Sequence, residues 1–298
     1  MHQSTPDPVP LLFHRPAAGH TLRDQPAGLR PRHPEVRRER KLKVFLLGHE
    51  ISYSRSPDMH NAAFRALGLD WTYELLDVSP GDLPRALAGL RREGIAGANV
   101  TIPHKQAVMQ FMDVLDAEAV KARAVNTIVY DDERLVGSNT DIAAIRAAIS
   151  SVGLAPRGAN VVIFGAGGSA RAASVALEGA HVTFVSRHPD ETDLPGRVIA
   201  WDDASLHGLV RAADLLLNAT PLGRREEMPI RPAALPRGGA VIDLVYVSGG
   251  TPLVRKARSL GLRTADGWEI LLAQGARSFE AWTGQAAPVS AMRETLQP

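Results

Sequence analysis

The chain has 298 residues, of which 45% are hydrophobic and none is cysteine, so it is long enough for two domains and lacks disulfides and thiolate metal ligands. The sequence pI of about 9.1 does not indicate nucleic-acid binding, because residues 1–40 contain seven basic and four acidic residues and leave 27 basic and 28 acidic residues in the remainder. No apolar run approaches the roughly 20 residues that span a bilayer, so neither a nucleic acid nor a membrane is an expected partner.

Residues 1–40 contain seven prolines and show no sustained hydrophobic periodicity. This composition predicts a disordered extension that can be removed without loss of function, and the alternative is a basic interaction arm. The segment lacks the uninterrupted apolar core of a secretory signal. The absence of cysteine fits a cytoplasmic protein, which is the expected location.

Residues 41–141 alternate between strand and helix patterns. Ser56 as N-cap with Pro57 at the first helical position predicts a helix, and Gly68 predicts its end. The strands are expected at 41–47, 71–78 and 97–102, and the helices at 56–67 and 83–94. This alternation is typical of parallel βαβ units and predicts an α/β domain.

A second unit of the same kind follows in the other half of the chain. A strand over Asn160–Phe164 precedes a glycine turn, a helix over Ser169–Leu177 and a strand over His181–Val185. Further strands are expected at 214–220 and 239–246, and a long helix at 268–284. We expect that helix to pack back on the first half and leave a cleft between the two halves.

The glycine turn fits the pattern G-x-G-x-x-G/A of dinucleotide-binding sites. Gly165 allows the tight turn, Gly167 lets the backbone approach a pyrophosphate, and the small Ala170 allows helix and strand to pack closely. The candidate cofactor-binding residues here are Gly165, Ala166, Gly167, Gly168, Ser169 and Ala170. The alternative is a glycine turn that serves packing alone.

The end of the next strand indicates which dinucleotide binds. Sites for NAD usually place a carboxylate about 20 residues after the first glycine, where it accepts a hydrogen bond from the ribose. Here Arg187 stands 22 residues after Gly165 and directly follows Ser186. A guanidinium pairs with a 2′-phosphate, so NADP is the expected cofactor. The alternative is that Arg187 only ends the strand.

Two serines precede the first predicted helix. Ser54 and Ser56 are two residues apart on extended backbone, so both hydroxyls face the same side. Hydroxyl donors beside a helix N-terminus can bind a small carboxylate. The alternative is that Ser56 caps the helix and Ser54 is a loop residue.

The motifs occur in the order found in one family. The segments SRSPDMHN, GANVTIPHK, AVNTI, NTD, GAGGSARA, NAT, DLVY and LLAQGARSFEAWTG resemble those of shikimate dehydrogenases, and the resemblance covers residues 43–290. It implies NADP-dependent interconversion of 3-dehydroshikimate and shikimate. It also implies a substrate-binding and catalytic domain over 41–141, a Rossmann-type NADP-binding domain over 142–265, and helices over 266–298 that pack on the first domain.

The resemblance assigns roles to individual residues. Lys105 matches the catalytic lysine and Asp141 the aspartate paired with it, and we expect Lys105 at the cleft end of a strand. Ser54 and Ser56 match the carboxylate-binding serines. The residues implied to line the substrate ring are Thr101, Asn126, Tyr246 and Gln274. Those implied on the cofactor side are the glycine turn, Ser186, Arg187 and Gly267. His60 and His104 are given no chemical role.

Several residues depart from the family pattern, mostly on the cofactor side. Ile142 and Ala144 stand where the family has glycines, and Ile270 replaces a methionine. These changes are expected to alter cofactor affinity and rate more than the choice of substrate.

The sequence leaves other functions open. One alternative is a quinate or mixed quinate/shikimate dehydrogenase that uses NAD or NADP. A second is a folate dehydrogenase-cyclohydrolase, which has a similar architecture but no need for Ser54 and Ser56. A third is a cofactor-binding regulator without turnover. Whether the protein forms a homodimer is also left open.

Overall fold

The computed structural model describes residues 40–296, so the predicted N-terminal extension lies, except for Arg40, outside the described residues. The strands are β1 (Leu42–Gly48), β2 (Trp71–Asp77), β3 (Ile95–Val100), β4 (Val114–Leu115), β5 (Thr127–Asp131), β6 (Arg134–Ser138), β7 (Asn160–Phe164), β8 (His181–Ser186), β9 (Arg197–Ala200), β10 (Leu215–Asn218), β11 (Ala240–Asp243) and β12 (Arg263–Ala265). The α-helices are α1 (Ser56–Ala66), α2 (Leu83–Gly89), α3 (Ala117–Ala122), α4 (Asp141–Ser151), α5 (Gly168–Ala176), α6 (Leu206–Ala212), α7 (Pro252–Ser259), α8 (Gly267–Thr283) and α9 (Val289–Glu294). The α/β class expected from the sequence is confirmed.

The first sheet is mixed, whereas the sequence pattern predicted parallel pairing. Its order is β2-β1-β3-β5-β6-β4, and β5 runs antiparallel to both β3 and β6. The turn between β5 and β6 consists of Asp132 and Glu133, whose φ angles are +51° and +61°. Two such residues in succession form the tight hairpin turn that Asn-Gly or Gly-Gly usually forms. The sequence therefore contained no recognisable hairpin signal.

The second sheet has six parallel strands in the order β9-β8-β7-β10-β11-β12. This is the strand order of a Rossmann sheet, in which nucleotides bind where the order reverses, here between β7 and β10. At that point Gly165 has a φ of +112°, and a Cβ on it would lie 3.0 Å from the carbonyl oxygen of Ala219. Glycine therefore lets the two strand ends approach closely at the crevice.

Helix α8 contributes side chains to the cores of both halves. Leu272, Phe279 and Trp282 are buried in the core of the first half, whereas Ile270 and Ala273 belong to the core of the second. Both α8 and α9 pack on α1. The assignment of a separate function to each half stays a prediction. Across residues 40–296, every helix is too short or too polar to cross a membrane.

Candidate active site

One cleft lies between the two halves, next to the carboxyl ends of strands from both sheets. Ten of the residues singled out in the sequence line it: Ser54, Ser56, Thr101, Lys105, Asn126, Asp141, Ser169, Tyr246, Gly267 and Gln274. The cleft therefore brings together every predicted catalytic and substrate-binding residue and two of the predicted cofactor-binding residues.

Lys105 and Asp141 form an ion pair in this cleft. The Lys105 ammonium lies 2.6 Å from Asp141 Oδ2, and the two side chains are only 11% and 12% exposed. The sequence predicted Lys105 at the end of a strand, and this prediction is wrong. Lys105 lies in a turn, five residues after the end of β3. A hydrogen bond of 2.7 Å from the Val125 amide to the Lys105 carbonyl ties that turn to the neighbouring segment. This backbone contact fixes the base of the lysine side chain.

The buried side chain of His104 also stabilises this turn. This residue is buried, and its Nε2 donates to the Val78 carbonyl over 2.7 Å. His104 therefore supports the turn next to Lys105.

Asn126 orients the carboxylate of Asp141. Its side-chain amide donates to Asp141 Oδ1 over 2.8 Å, while its own Oδ1 accepts from the Thr140 amide over 2.8 Å. The two oxygens of Asp141 thus have separate partners, Asn126 and Lys105. Because Asn126 holds the Asp141 carboxylate, that carboxylate gives the Lys105 ammonium a defined position in the cleft.

The second half approaches the same lysine through the start of α5. Lys105 Nζ donates to Ser169 Oγ over 3.1 Å. A Cβ on Gly168 would lie only 2.7 Å from Lys105 Cβ, so helix α5 approaches closely because this residue lacks a side chain. The glycine turn and the Lys105–Asp141 pair therefore belong to one site.

The two serines lie at the start of α1, at another part of the cleft. The structure contradicts the capping alternative for Ser56, because Ser56 is the first helical residue and α1 has no side-chain cap. Ser54 Oγ accepts from the Ser56 amide over 3.3 Å. Burial raises the pKa of Tyr246, and its interaction with the Ser54 hydroxyl acts against that rise. Ser54 and Tyr246 therefore present neighbouring hydroxyls from opposite halves.

Thr101 and Gln274 both line the cleft. Gln274 donates its amide to the Leu271 carbonyl over 2.8 Å, within its own helix. That leaves its side-chain oxygen as the group able to accept from a ligand.

A buried polar network beneath the cleft was not predicted. Asn99 accepts from the Tyr73 hydroxyl over 2.9 Å and donates to Ser278 Oγ over 3.0 Å and to the Asn126 carbonyl over 3.1 Å. It thus joins the first sheet to α8. The available signal was an asparagine inside an otherwise apolar strand, since a buried amide requires partners.

Of the predicted cofactor-binding residues, Ser169 and Gly267 line the cleft, whereas residues 165–168, Ala170, Ser186 and Arg187 do not. Ser186 ends β8 and accepts from the His188 amide over 3.1 Å, while Arg187 is exposed and forms no hydrogen bond or ion pair with residues 40–296. Gly267 has a visible steric role, because a Cβ there would lie 2.5 Å from the backbone of Val245.

The departures on α4 and α8 fill space between helices. Ile142 is fully buried, Ala144 is 2% exposed and Ile270 is 6% exposed, all in the core of the second half. Ile270 also lines the cleft. Ile142 and Ala144 therefore make apolar contacts where glycines would leave the helices less tightly packed, and Ile270 makes apolar contacts in place of a methionine.

Two further cleft residues, Tyr53 and Arg224, were missed. The Arg224 guanidinium carbon lies 3.5 Å from the centre of the Tyr53 ring, and Arg224 donates to the Tyr53 hydroxyl. Arg224 stands in the charged run GRREE, which resembles an ordinary solvated loop, so nothing in the sequence distinguished it.

A Rossmann sheet joined through a cleft to a mixed α/β half defines a two-domain dinucleotide-binding protein. Residues 46–128 match the shikimate dehydrogenase substrate binding domain, and residues 267–297 match the shikimate 5′-dehydrogenase C-terminal domain. Together with a relative that is 43% identical over 85% of the chain, these matches confirm the resemblance: the chain belongs to the shikimate dehydrogenase family.

Individual relatives are similar over most of their length. The chain is 43% identical to the shikimate dehydrogenase (NADP(+)) of Moorella thermoacetica, covering 85% of this chain and 92% of that protein. It is 33% identical to the crystal structure of shikimate 5-dehydrogenase from Thermus thermophilus in complex with NADP(H) and shikimate, with a TM-score of 0.75 and coverage of 86% and 98%. A ligand-free 5-ketofructose reductase of Gluconobacter sp. strain CHM43 is 30% identical, with a TM-score of 0.72 and coverage of 87% and 98%. The fold therefore occurs with more than one substrate.

Proposed function

We propose that this protein is an NADP-dependent shikimate dehydrogenase that interconverts 3-dehydroshikimate and shikimate. The observation that carries the proposal is the Lys105–Asp141 ion pair, which lies in the cleft and contacts the start of α5 through Ser169. Relatives named for this NADP-dependent activity, at 38% to 43% identity over most of the chain, support the same function.

The second half has a backbone that fits a dinucleotide. Gly165 allows close approach at the switch point, and a Cβ on Gly167 would meet no atom within 4 Å, so space lies open at the start of α5. The N-terminus of that helix favours an anion such as a diphosphate. We assign Gly165 to Ala170 to the diphosphate and Ser186 with Arg187 to the 2′-phosphate.

When bound, NADP(H) supplies or accepts the hydride. Reduction of the ketone also requires one proton on its oxygen, which Lys105 donates as that oxygen becomes negative. In the reverse direction Lys105 accepts the proton from the hydroxyl. Asp141 keeps the ammonium in position, and Asn126 fixes Asp141.

The other half of the cleft binds the substrate. Shikimate is a small anion with several hydroxyls, which require both donors and acceptors. We assign its carboxylate to Ser54 and Ser56, and its ring and hydroxyls to the side chains of Thr101, Asn126, Tyr246 and Gln274. The neutral hydroxyls of the two serines suit a carboxylate because they can donate without carrying charge.

A spectrophotometric assay tests the proposed function. NADPH formation is followed with shikimate and with quinate, and each measurement is repeated with NAD. We expect the highest kcat/KM for the pair of shikimate and NADP. A higher value with quinate or with NAD, or no turnover with any pair, would contradict the proposal. A cytoplasmic location and the oligomeric state stay predictions.

A further inference from the structure

Arg224 introduces an unbalanced positive charge into the cleft. Three charged residues, Lys105, Asp141 and Arg224, line it among the described residues. Lys105 and Asp141 neutralise each other. Within residues 40–296, no carboxylate lies within ion-pair distance of Arg224, and the neighbouring Glu226 pairs with Arg255 instead. The cleft therefore has a net positive charge at its Arg224 side.

The loop that carries Arg224 is internally fixed. Asn218, at the end of β10, donates to the Leu222 carbonyl over 2.8 Å and accepts from the Thr220 hydroxyl over 2.7 Å. Glu227 Oε2 accepts from the amides of Gly223 and Arg225 on either side of Arg224. The acidic side chain of Glu227 thus binds backbone and leaves the guanidinium free of a carboxylate.

The guanidinium is held beside the two serines. It stacks on the ring of Tyr53, which directly precedes Ser54. Burial raises the pKa of Tyr246. The Arg224 guanidinium lies close enough to lower that pKa, and the Ser54 hydroxyl lowers it as well. Ser54, Tyr246 and Arg224 therefore converge on one end of the cleft, and Arg224 belongs to the opposite half from Ser54.

We propose that Arg224 binds the substrate carboxylate together with Ser54 and Ser56, and so determines the preference for an anionic substrate. The proposal rests on the proposed function, because shikimate is the anion assigned to this end of the cleft. A guanidinium offers two parallel donors to a carboxylate, and its stacking on Tyr53 orients it in advance. Substrate binding then links the two halves through one ionic contact.

The test compares Arg224→Met, Arg224→Lys and the control Arg225→Met. Arg225 is exposed and does not line the cleft. Steady-state rates and calorimetric titrations use shikimate and its uncharged methyl ester. Because Arg224 would bind ground state and transition state alike, we expect Arg224→Met to raise KM and Kd for shikimate by about ten- to a hundred-fold, with kcat changed only a few-fold. Binding of the ester should change little, and Arg224→Lys should be intermediate.

Three results would overturn the assignment of Arg224. One is an equal loss of binding for acid and ester, which indicates a contact between the halves without charge recognition. A second is a rise in KM for NADP instead of shikimate, and a third is an effect of Arg225→Met as large as that of Arg224→Met. If wild type binds shikimate without oxidising it, the proposed function fails while the titrations still decide the role of Arg224. If wild type does not bind shikimate, both fail.

Discussion

Lys105 and Asp141 are so little exposed that substituting one of them alone has two effects. Removing either partner of a buried ion pair leaves the other charge without compensation, which can cost about 3–5 kcal/mol of stability. A fall in activity after such a change could therefore come from chemistry or from loss of structure. A variant that removes both charges separates the two effects.

We predict that Lys105→Met lowers kcat by about 10²- to 10⁴-fold, because methionine fills similar space but has no proton to donate. It should also lower Tm, since Asn126 is then the one side-chain partner left to Asp141 among the described residues. The double variant Lys105→Met/Asp141→Asn should recover much of the Tm and none of the kcat. Lys121→Met, on the exposed face of α3, serves as the control. A kcat for Lys105→Met within a few-fold of wild type would show that the proton comes from another group.

Arg187 lies at the end of β8, exposed and away from the Lys105–Asp141 pair. We predict that Arg187→Asp raises KM for NADP by about ten- to a hundred-fold, because a charge-assisted pair is lost, with a much smaller effect on NAD. Initial rates with both cofactors measure this change. The exposed Arg237→Asp should leave both KM values unchanged. An unaltered KM for NADP would indicate that Arg187 only ends the strand.

At the scale of elements, the sequence predicted what depends on local pattern. The strand Asn160–Phe164 followed from its apolar pattern, and the helix predicted from Ser169 begins one residue earlier, at Gly168. The hairpin at Asp132 and Glu133 could not be predicted, because acidic residues occupy a turn that glycine and asparagine normally form. Arg224 could not be predicted either, since its stacking on Tyr53 joins residues 171 positions apart in the chain.

Helix α1 places an ionisable side chain among aromatic rings. His60 is fully buried, its ring stacks on Tyr73 with centroids 4.5 Å apart, and it meets the edge of Trp282 at 5.2 Å. Neither ring nitrogen has a hydrogen-bond partner among residues 40–296. Burial lowers the pKa of His60 to about 3. The folded protein therefore keeps this imidazole neutral under conditions in which the unfolded chain would protonate it.

This arrangement predicts an acid-sensitive contribution to stability. The free energy of unfolding should be unaffected by His60 above about pH 6.5, the ordinary pKa. It should fall by about 1.4 kcal/mol per pH unit as the pH decreases from there towards 3, because only the unfolded chain binds the proton. Denaturant unfolding of wild type and His60→Phe across this range measures the slope. An equal slope in both proteins would contradict the prediction, whatever their absolute stabilities.

For the whole molecule, α8 connects two cores that would otherwise lie apart. Trp282 is fully buried in the first, where its Nε1 donates to the Ile128 carbonyl over 2.9 Å, whereas Ile270 packs in the second. A change at one end of the helix should therefore affect both halves. This coupling is a property of the folded chain that no local sequence pattern contains.

We predict that Trp282→Ala costs about 3–5 kcal/mol and that hydrogen exchange increases in peptides of β7 and β10 as well as in those of β1 and β3. Hydrogen exchange with peptide resolution distinguishes the two sheets. Leu260→Ala, at a side chain that is 49% exposed, should change neither. Faster exchange confined to the first sheet would show that the halves unfold independently.

The contact between Gly168 and Lys105 has a consequence for engineering the choice of cofactor. The residues assigned to the 2′-phosphate, Ser186 and Arg187, do not line the cleft, so they can be exchanged without moving the group that handles the proton. The other end of the same cofactor site lacks that freedom, because any side chain at position 168 would meet Lys105 Cβ at 2.7 Å. A substitution at Arg187 can therefore change the cofactor preference and leave proton transfer intact. A substitution at Gly168 would disturb both, because it displaces Lys105.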